Sequence, residues 1–451
     1  MIRPIYRLVA LFALVPAASF ADTNPTPSAL SLQQCLDLAL RQNPAILKAQ
    51  QELRRTHGLI VEARSEILPH LTASGEYAQI DPAAVDRFTM TGTGSLSGNF
   101  NNQERPWTAR IEATQLLYSG GRVTAGIRAA KLGDDYAVLG FQRTVADTTF
   151  DVRKAFYGIL LAQQQVIVRE QSIKLLEQQL EDTRHRFDAG AVPRFNVLRA
   201  EVELANARPP LIRAQNDLRL AREALVNLLA IDLPEQRHGF TPVTFTGQLT
   251  YELRSWKLPD ALTDALAKRP ELRQAEKQVA ISGEATKIAQ AGYQPELSAF
   301  AGYRIYDSTF SDDLDNTVHG WAAGARATWP LFDGLLTQGR VTQARAKREQ
   351  SALDLADTRR SIELEVRQAY SDYLQALELL EAQKKTVEQG EESLRLAEAR
   401  FRAGTGTQLD VLSAQTALTE ARSNEIQALY DYNVALAKLD RATGNTVTIA
   451  P

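Results

Sequence analysis

The sequence predicts a mixed α/β membrane protein: a duplicated chain giving four strands to a shared β-barrel and building long coiled-coil helices. Three observations carry that expectation. The chain repeats itself, each half holds a proline-free helical pattern too long for a globule, and four ten-residue segments alternate between apolar and polar residues.

The repeat comes first, because it sets how every local pattern is read. Asn43-Pro44 recurs as Arg269-Pro270, Leu68-Pro69 as Gln294-Pro295 and Tyr77 as Tyr303, all at a spacing of 226. Further on the spacing is 214: Trp107 matches Trp321, Val152-Arg153 matches Val366-Arg367, and Phe187-Asp188-Ala189-Gly190 matches Phe401-Arg402-Ala403-Gly404. The difference falls between Tyr77 and Trp107, so one loop absorbs it. The expected divisions are a leader at 1–21, a first repeat at 22–230, a connector at 231–258, a second repeat at 259–443 and a tail at 444–451. The connector holds Pro234 and Pro242 and is rich in threonine, which suits one or two short strands.

The long helical patterns run over 122–187 and 336–401, without proline. At 1.5 Å per residue, such a helix reaches on the order of 100 Å and needs a coiled-coil partner along most of its length. Downstream, Val197, Ala200, Leu204, Ala207 and Leu211 begin a seam of 3,4 spacing, repeated from Val411, Ala414, Leu418 and Ala421, with Glu425 its one charged member. A sustained 3.5-residue period specifies supercoiled helices. Pro209-Pro210 interrupts the first seam and is expected to break or kink its helix.

Between the helices, Trp107, Ala109, Ile111, Ala113 and Leu117 alternate with polar residues, as do Trp321, Ala323, Ala325, Ala327, Trp329 and Leu331 with Ala322, Gly324, Arg326 and Thr328. Segments 71–80 and 297–306 alternate less cleanly. Each has the length of a tilted membrane strand, and Trp107, Tyr118, Trp321 and Trp329 stand near ends, as interfacial aromatics do. Four strands cannot close a barrel, since backbone groups facing lipid must all be paired and barrels need about eight strands or more. Two chains would supply eight and three would supply twelve.

Composition agrees. Of 451 residues, 44% are hydrophobic and 23% charged, the balance of an ordered protein, and a net charge of −3 leaves no basic footprint for nucleic acid. Arg3 and Arg7, the apolar run from Leu8 to Ala18 and Ser19-Phe20-Ala21 read as a cleaved secretory leader. No later run of apolar residues is long enough for a membrane helix. Cys35 is the sole cysteine and lies among Leu32, Leu36 and Leu40, well past the expected cleavage site. A single cysteine excludes an internal disulfide, and its position argues against lipidation. His57, His70, His185, His238 and His319 are scattered, and Ser119-Gly120-Gly121-Arg122 lacks the lysine and spacing of a phosphate loop. Neither catalytic residues, a metal site nor a cofactor site is expected.

Taken in order, these features resemble the TolC-like outer-membrane factor family across the whole mature chain. The resemblance rests on Leu36-Asp37-Leu38-Ala39-Leu40 with Asn43-Pro44, and on Leu117-Tyr118-Ser119-Gly120-Gly121 and Leu331-Phe332-Asp333-Gly334 where strand meets helix. Most specific are the two tip turns, Arg186 to Gly190 and Arg400 to Gly404, followed by Asn196-Val197-Leu198 and Asp410-Val411-Leu412. The resemblance implies a homotrimer with a twelve-stranded barrel continuous with an α-helical tunnel, set in outer-membrane lipid of a Gram-negative bacterium. It implies tips carrying Phe187, Gly190, Phe401, Gly404 and Gly406 that meet a periplasmic adaptor. Through the adaptor they would meet an inner-membrane transporter of the RND, ABC or MFS type. It also implies a pore constriction near Asp410, Asn196 and Ser413. The family pattern carries a basic residue after the tip glycine and a second aspartate three residues past the first; here those places hold Gly406 and Ser413.

A periplasmic or surface coiled-coil protein is the rival reading; it accounts for the heptads but not for the duplicated hairpins. The hairpin reading also sets an orientation, with 81–106 and 307–319 as extracellular loops. Epitope tags in those two loops are expected to be labelled on intact cells, and tags at Ala191 or Thr405 are not. Labelling in the opposite sense would reverse the topology.

Overall fold

The computed structural model describes residues 29–81, 105–231, 243–252, 254–307 and 317–445. The leader, most of both expected extracellular loops, part of the connector and the last residues of the tail lie outside the described residues. The elements run β1 (Ala29–Leu30), α1 (Leu32–Gln42), α2 (Pro44–Ser65), β2 (His70–Tyr77), β3 (Trp107–Ser119), α3 (Arg122–Asp188) and α4 (Arg194–Leu228). After β4 (Thr244–Phe245) the pattern repeats as α5 (Leu258–Lys268), α6 (Pro270–Gln290), β5 (Glu296–Asp307), β6 (Val318–Thr328), α7 (Leu336–Arg402) and α8 (Gln408–Ala442).

Helices α3 and α7 are 67 residues each, ending one residue past the expected points. Each starts behind a residue in the left-handed region, Gly121 (φ 84°) and Leu335 (φ 71°). No helix among the described residues is long and apolar enough to cross a membrane. The dipeptide Asn43-Pro44 marks the break between α1 and α2: proline suits the first position of α2 while disfavouring helix at the residue before it. The Asn43 side chain accepts from the Ala45 N–H and donates to the Leu228 carbonyl at 2.8 Å, tying this corner to the end of α4.

Helix α4 corrects an expectation. It runs unbroken through Pro209-Pro210. Each proline removes a ladder hydrogen bond, and a helix-interior proline costs about 3 kcal/mol in isolation. Packing along α3 offsets that cost, as tertiary contact commonly overrides local propensity.

The core is concentrated at one level of the long axis. There Val152, Phe156, Ile159 and Leu160 of α3 pack on Leu225, Val226 and Leu229, covered by Leu30, Cys35, Leu36, Ala39 and Phe245. The second repeat builds its counterpart from Ile362, Val366, Ala369, Tyr373 and Leu380 of α7 with Ala428, Tyr432, Ala435 and Leu439 of α8. Residues 250–252 are fastened across it: the Tyr432 hydroxyl donates to the Glu252 carbonyl at 2.6 Å and Asn433 donates to the Thr250 carbonyl at 3.1 Å. One short strand is present in the described part of the connector, β4, paired in parallel with β1.

The four membrane-type strands form one antiparallel sheet in the order β2-β3-β5-β6. Strand β3 of the first repeat pairs with β5 of the second, so the two hairpins merge. The strand limits differ from expectation in three places. Strand β2 stops at Tyr77 rather than continuing to 80, and Asp307 of β5 and Val318 and His319 of β6 belong to strands rather than to a loop. Strand β6 also ends at Thr328, which leaves Trp329 and Leu331 beyond it because Pro330 follows and cannot donate to a ladder.

Burial also fixes the state of the single thiol. Cys35 is fully buried, and desolvation pushes its pKa up to about 12. A thiolate that scarce is a poor nucleophile. The folded protein at pH 8 is expected to resist maleimide labelling at Cys35 and to label stoichiometrically once unfolded in guanidinium. Fast labelling of the folded protein would contradict this packing.

Candidate pore and helical tips

The sheet separates two chemistries. Residues opposed across an antiparallel ladder share a face, so the register places Leu71, Ala73 and Tyr77 with Trp107, Ala109, Ile111 and Ala113. It adds Ala299, Ala301, Tyr303 and Ile305, then Trp321, Ala323, Ala325 and Ala327. The other face carries Thr72, Ser74 and Glu76, then Thr108, Arg110, Glu112 and Thr114, with Ser298, Arg304 and Arg326. In hydrocarbon the apolar face turns to lipid and the polar one lines the interior.

A β-bulge refines this reading. Leu116 opposes Ser298 and Tyr118 opposes Leu297, so Leu117 is the extra residue. Simple alternation would send Tyr118 to the polar face; the bulge brings it to the face of Trp107. The two aromatics lie eleven residues apart, roughly 36 Å along a strand and ~25 Å when tilted near 45°, the height of a barrel's apolar band. Trp321, opposite Tyr303, is 80% exposed and belongs to the band's Trp107 end. Trp329 joins the Tyr118 end, where its indole N–H donates to the Tyr293 carbonyl at 3.1 Å.

At the far end of the helices are the tips. Gly190 (φ 74°) and Gly404 (φ 76°) adopt the left-handed conformation that terminates α3 and α7. Gly190 N–H reaches the Phe187 carbonyl and Ala191 N–H the Arg186 carbonyl, both at 2.8 Å; Gly404 and Thr405 repeat this on Phe401 and Arg400. The second tip is tighter. Gly406 N–H also bonds the Arg400 carbonyl, and a β-carbon at 406 would stand 3.0 Å from Arg400 Cβ. The tips touch: the Arg186 guanidinium lies 4.6 Å over the Phe401 ring, and Gln408 donates to the Thr183 hydroxyl at 3.0 Å. Phe187 and Phe195 remain exposed beside them.

Asp410 and Asn196 both occupy the third helical position after a tip, with different partners. Asp410 forms a capping box with Thr407: its N–H donates to the Thr407 hydroxyl oxygen, and its carboxylate accepts from the Thr407 N–H at 2.9 Å. It also accepts from the Thr407 hydroxyl at 2.8 Å. The backbone bond from Thr407 first, then the hydroxyl, holds the Asp410 carboxyl below the usual carboxylate range. Asn196 follows Pro193, which offers no side-chain cap. Asp410 and Ser413 are both exposed, one turn apart on α8. Thr407-x-x-Asp410 was readable as a helix start; the Arg186–Phe401 stack, between residues 215 apart, was not.

Among known proteins, the outer membrane efflux protein family model matches residues 35–230 and 261–445. The outer membrane protein TolC of Salmonella enteritidis is 25% identical over 456 residues, covering 96% of this chain and 86% of the relative. The alkaline protease secretion protein AprF of Pseudomonas aeruginosa is 24% identical, covering 91% and 84%. In structure, the open state of the MtrE outer membrane channel of Neisseria gonorrhoeae superposes with a TM-score of 0.73 at 21% identity, covering 92% and 88%. The outer membrane protein VceC of Vibrio cholerae gives 0.75 at 17%, covering 92% and 96%. With both repeats matched by the family model, the chain belongs to the outer membrane efflux protein family and is an outer-membrane exit channel of the efflux and secretion type.

Proposed function

We propose that three copies of this exit channel close one duct, a passive conduit from periplasm to exterior, and that it catalyses nothing. The carrying observation is the merged sheet: β2 and β6 each have one unpaired edge. An open edge cannot face hydrocarbon, so the edges of neighbouring copies pair. Helix α4 supports the same assembly. Its outward residues Phe195, Leu198, Val202, Ile212 and Leu220 are 49–65% exposed in the single chain, an apolar stripe along a helix that packs mainly on α3.

The chain then works as two repeats, 22–230 and 259–443, about a connector at 231–258. Its tips, with Phe187, Gly190, Phe401, Gly404 and Gly406, dock a periplasmic adaptor that couples the duct to an inner-membrane transporter. Trp107, Tyr118, Trp321 and Trp329 set its depth in the membrane. Cross-linking in mild detergent is expected to give one discrete trimer. A monomer with full β-content and channel conductance would defeat the assembly.

Asp410 serves the constriction, with Asn196 and Ser413 on the same turns; three copies around the axis set a ring of carboxylates at the narrow end. Asp410→Asn preserves an acceptor for the Thr407 N–H and deletes the charge. In planar bilayers it is expected to reduce cation preference while the trimer stays intact; unchanged selectivity would leave the residue a helix cap alone. The depressed Asp410 pKa adds a pH dependence. The folded group is harder to protonate than the unfolded one, so its contribution is present above the ordinary aspartate value of about 3.9. That contribution is lost only as pH falls through the lower folded value. Wild-type cation preference is therefore expected to hold down to about pH 4. Collapse of that preference between pH 6 and pH 5 would assign it to another group.

A further inference from the structure

The interior lining near the membrane carries a run of cations. On the polar face of the sheet, Arg304 stands directly across the ladder from Arg110. Like charges directly opposed destabilise a sheet. Arg304 lies 4.5 Å over the Tyr306 ring and Arg326 lies 5.6 Å over the Phe300 ring. Stacking holds a guanidinium in place while leaving its N–H edge free for an anion.

The lining continues into the helices. Arg340 and Lys347 of α7 border a groove of about 630 Å³ against α6, shared with Arg122. Arg122 in turn pairs with Glu296 at 3.1 Å, and Glu296 belongs to the polar face, opposite Thr328. The groove therefore opens to the same interior as Arg304 and Arg326.

Carboxylates on this stretch are mostly taken. Glu112 pairs with Arg110 at 3.5 Å, and Glu296 with Arg122. Among the described residues, no ion pair includes Arg304, Arg326, Arg340 or Lys347. Glu76 is the one carboxylate of the polar sheet face outside those pairs. Each chain thus lines this stretch with four unpaired cations against Glu76 on the sheet and Asp333 at the start of α7, whose carboxylate accepts from the Thr337 N–H at 2.8 Å. They are spread along the axis: Arg326 opposes Ser298, six residues or roughly 20 Å from Arg304 along β5, and Lys347 lies two turns, about 10 Å, beyond Arg340. Asp354, seven residues after Lys347, ends the run.

We propose that Arg304, Arg326, Arg340 and Lys347 form a cationic track lining the membrane half of the duct, and that it attracts cargo bearing several carboxylates. Spaced cations along a low-dielectric wall concentrate anions and pass them from site to site. The proposal rests on the channel reading above and adds the class of cargo.

The test uses the full-length oligomer in planar bilayers with an oligoglutamate of about ten residues added on the barrel side. It should block the current, and oligolysine of equal length should block far less. The variant carrying Arg304→Gln, Arg326→Gln, Arg340→Gln and Lys347→Gln breaks no ion pair among the described residues. It is expected to weaken oligoglutamate block roughly tenfold. Arg304→Lys with Arg326→Lys, which preserves charge, should retain most of it. Equal block in wild type and the glutamine variant, or stronger block by oligolysine in wild type, would overturn the track. Absence of any conductance before peptide is added would instead refute the channel itself.

Discussion

In hydrocarbon, every backbone N–H and C=O must find a partner within protein, and the described residues bring four strands to meet that demand. The pairing of β3 with β5 removes two edges by fusing the repeats, and it leaves the edges of β2 and β6. Nothing among the described residues covers them, so the membrane part of the described fold is incomplete in the single chain. The helices inherit the same incompleteness. Helix α8 packs between α7 and α3 and buries Val411, Leu418, Ala428, Tyr432 and Leu439. The matching seam of α4, with α3 as its one long helical neighbour among the described residues, is fully buried at little more than Ala200 and Leu225.

A long hollow body has little interior, so its stability is gathered where short segments can wrap the long helices. That level is set by the two X-Pro corners. The first is sealed by the amide of Asn43 on the end of α4. The second uses charge: Arg269, almost wholly buried, pairs with Glu271 and Glu365, while Arg441 reaches Glu365 and Asp147. This network joins α3, α6, α7 and α8. Burial alone would disfavour the Arg269 charge; the two carboxylates reverse that and raise its pKa, while Glu271 is held low by Arg269. Removing one partner of such a network leaves a buried charge unpaired, which is why its members act as one unit.

Much of this was legible in the sequence because local rules decide it. The limits of α3 and α7 followed from glycines at both ends and an absence of proline between. The two faces of the sheet followed from period-two alternation. What escaped was set by tertiary contact. Leu117 looked like the next step in an alternation and is a bulge, because β5 opposes Tyr118 to Leu297. Pro209-Pro210 looked like a break and is tolerated, because α3 supports α4 along its length. The Arg186 stack on Phe401 and the cross-strand pair of Arg110 with Arg304 join residues of different repeats, where no local pattern points from one to the other.

Duplication also constrains how copies can meet. Within one chain, the step from first repeat to second places β5 beside β3 and α8 beside α3. If repeats follow one another by the same step in the proposed ring, the next copy's β2 lies beside β6 and its α4 beside α7. Those are the edges and the stripe that the single chain leaves uncovered. Such a head-to-tail contact is heterologous, and it closes only when the rotation per repeat divides a full turn. Six repeats require about 60° per step, and each chain already contains one such step between its own halves. The contact between α3 and α8 is therefore a rehearsal of the contact between chains. Differences between the repeats, such as exposed Leu335 and Leu336 where the first repeat has Gly121 and Arg122, are places where true sixfold symmetry yields to threefold.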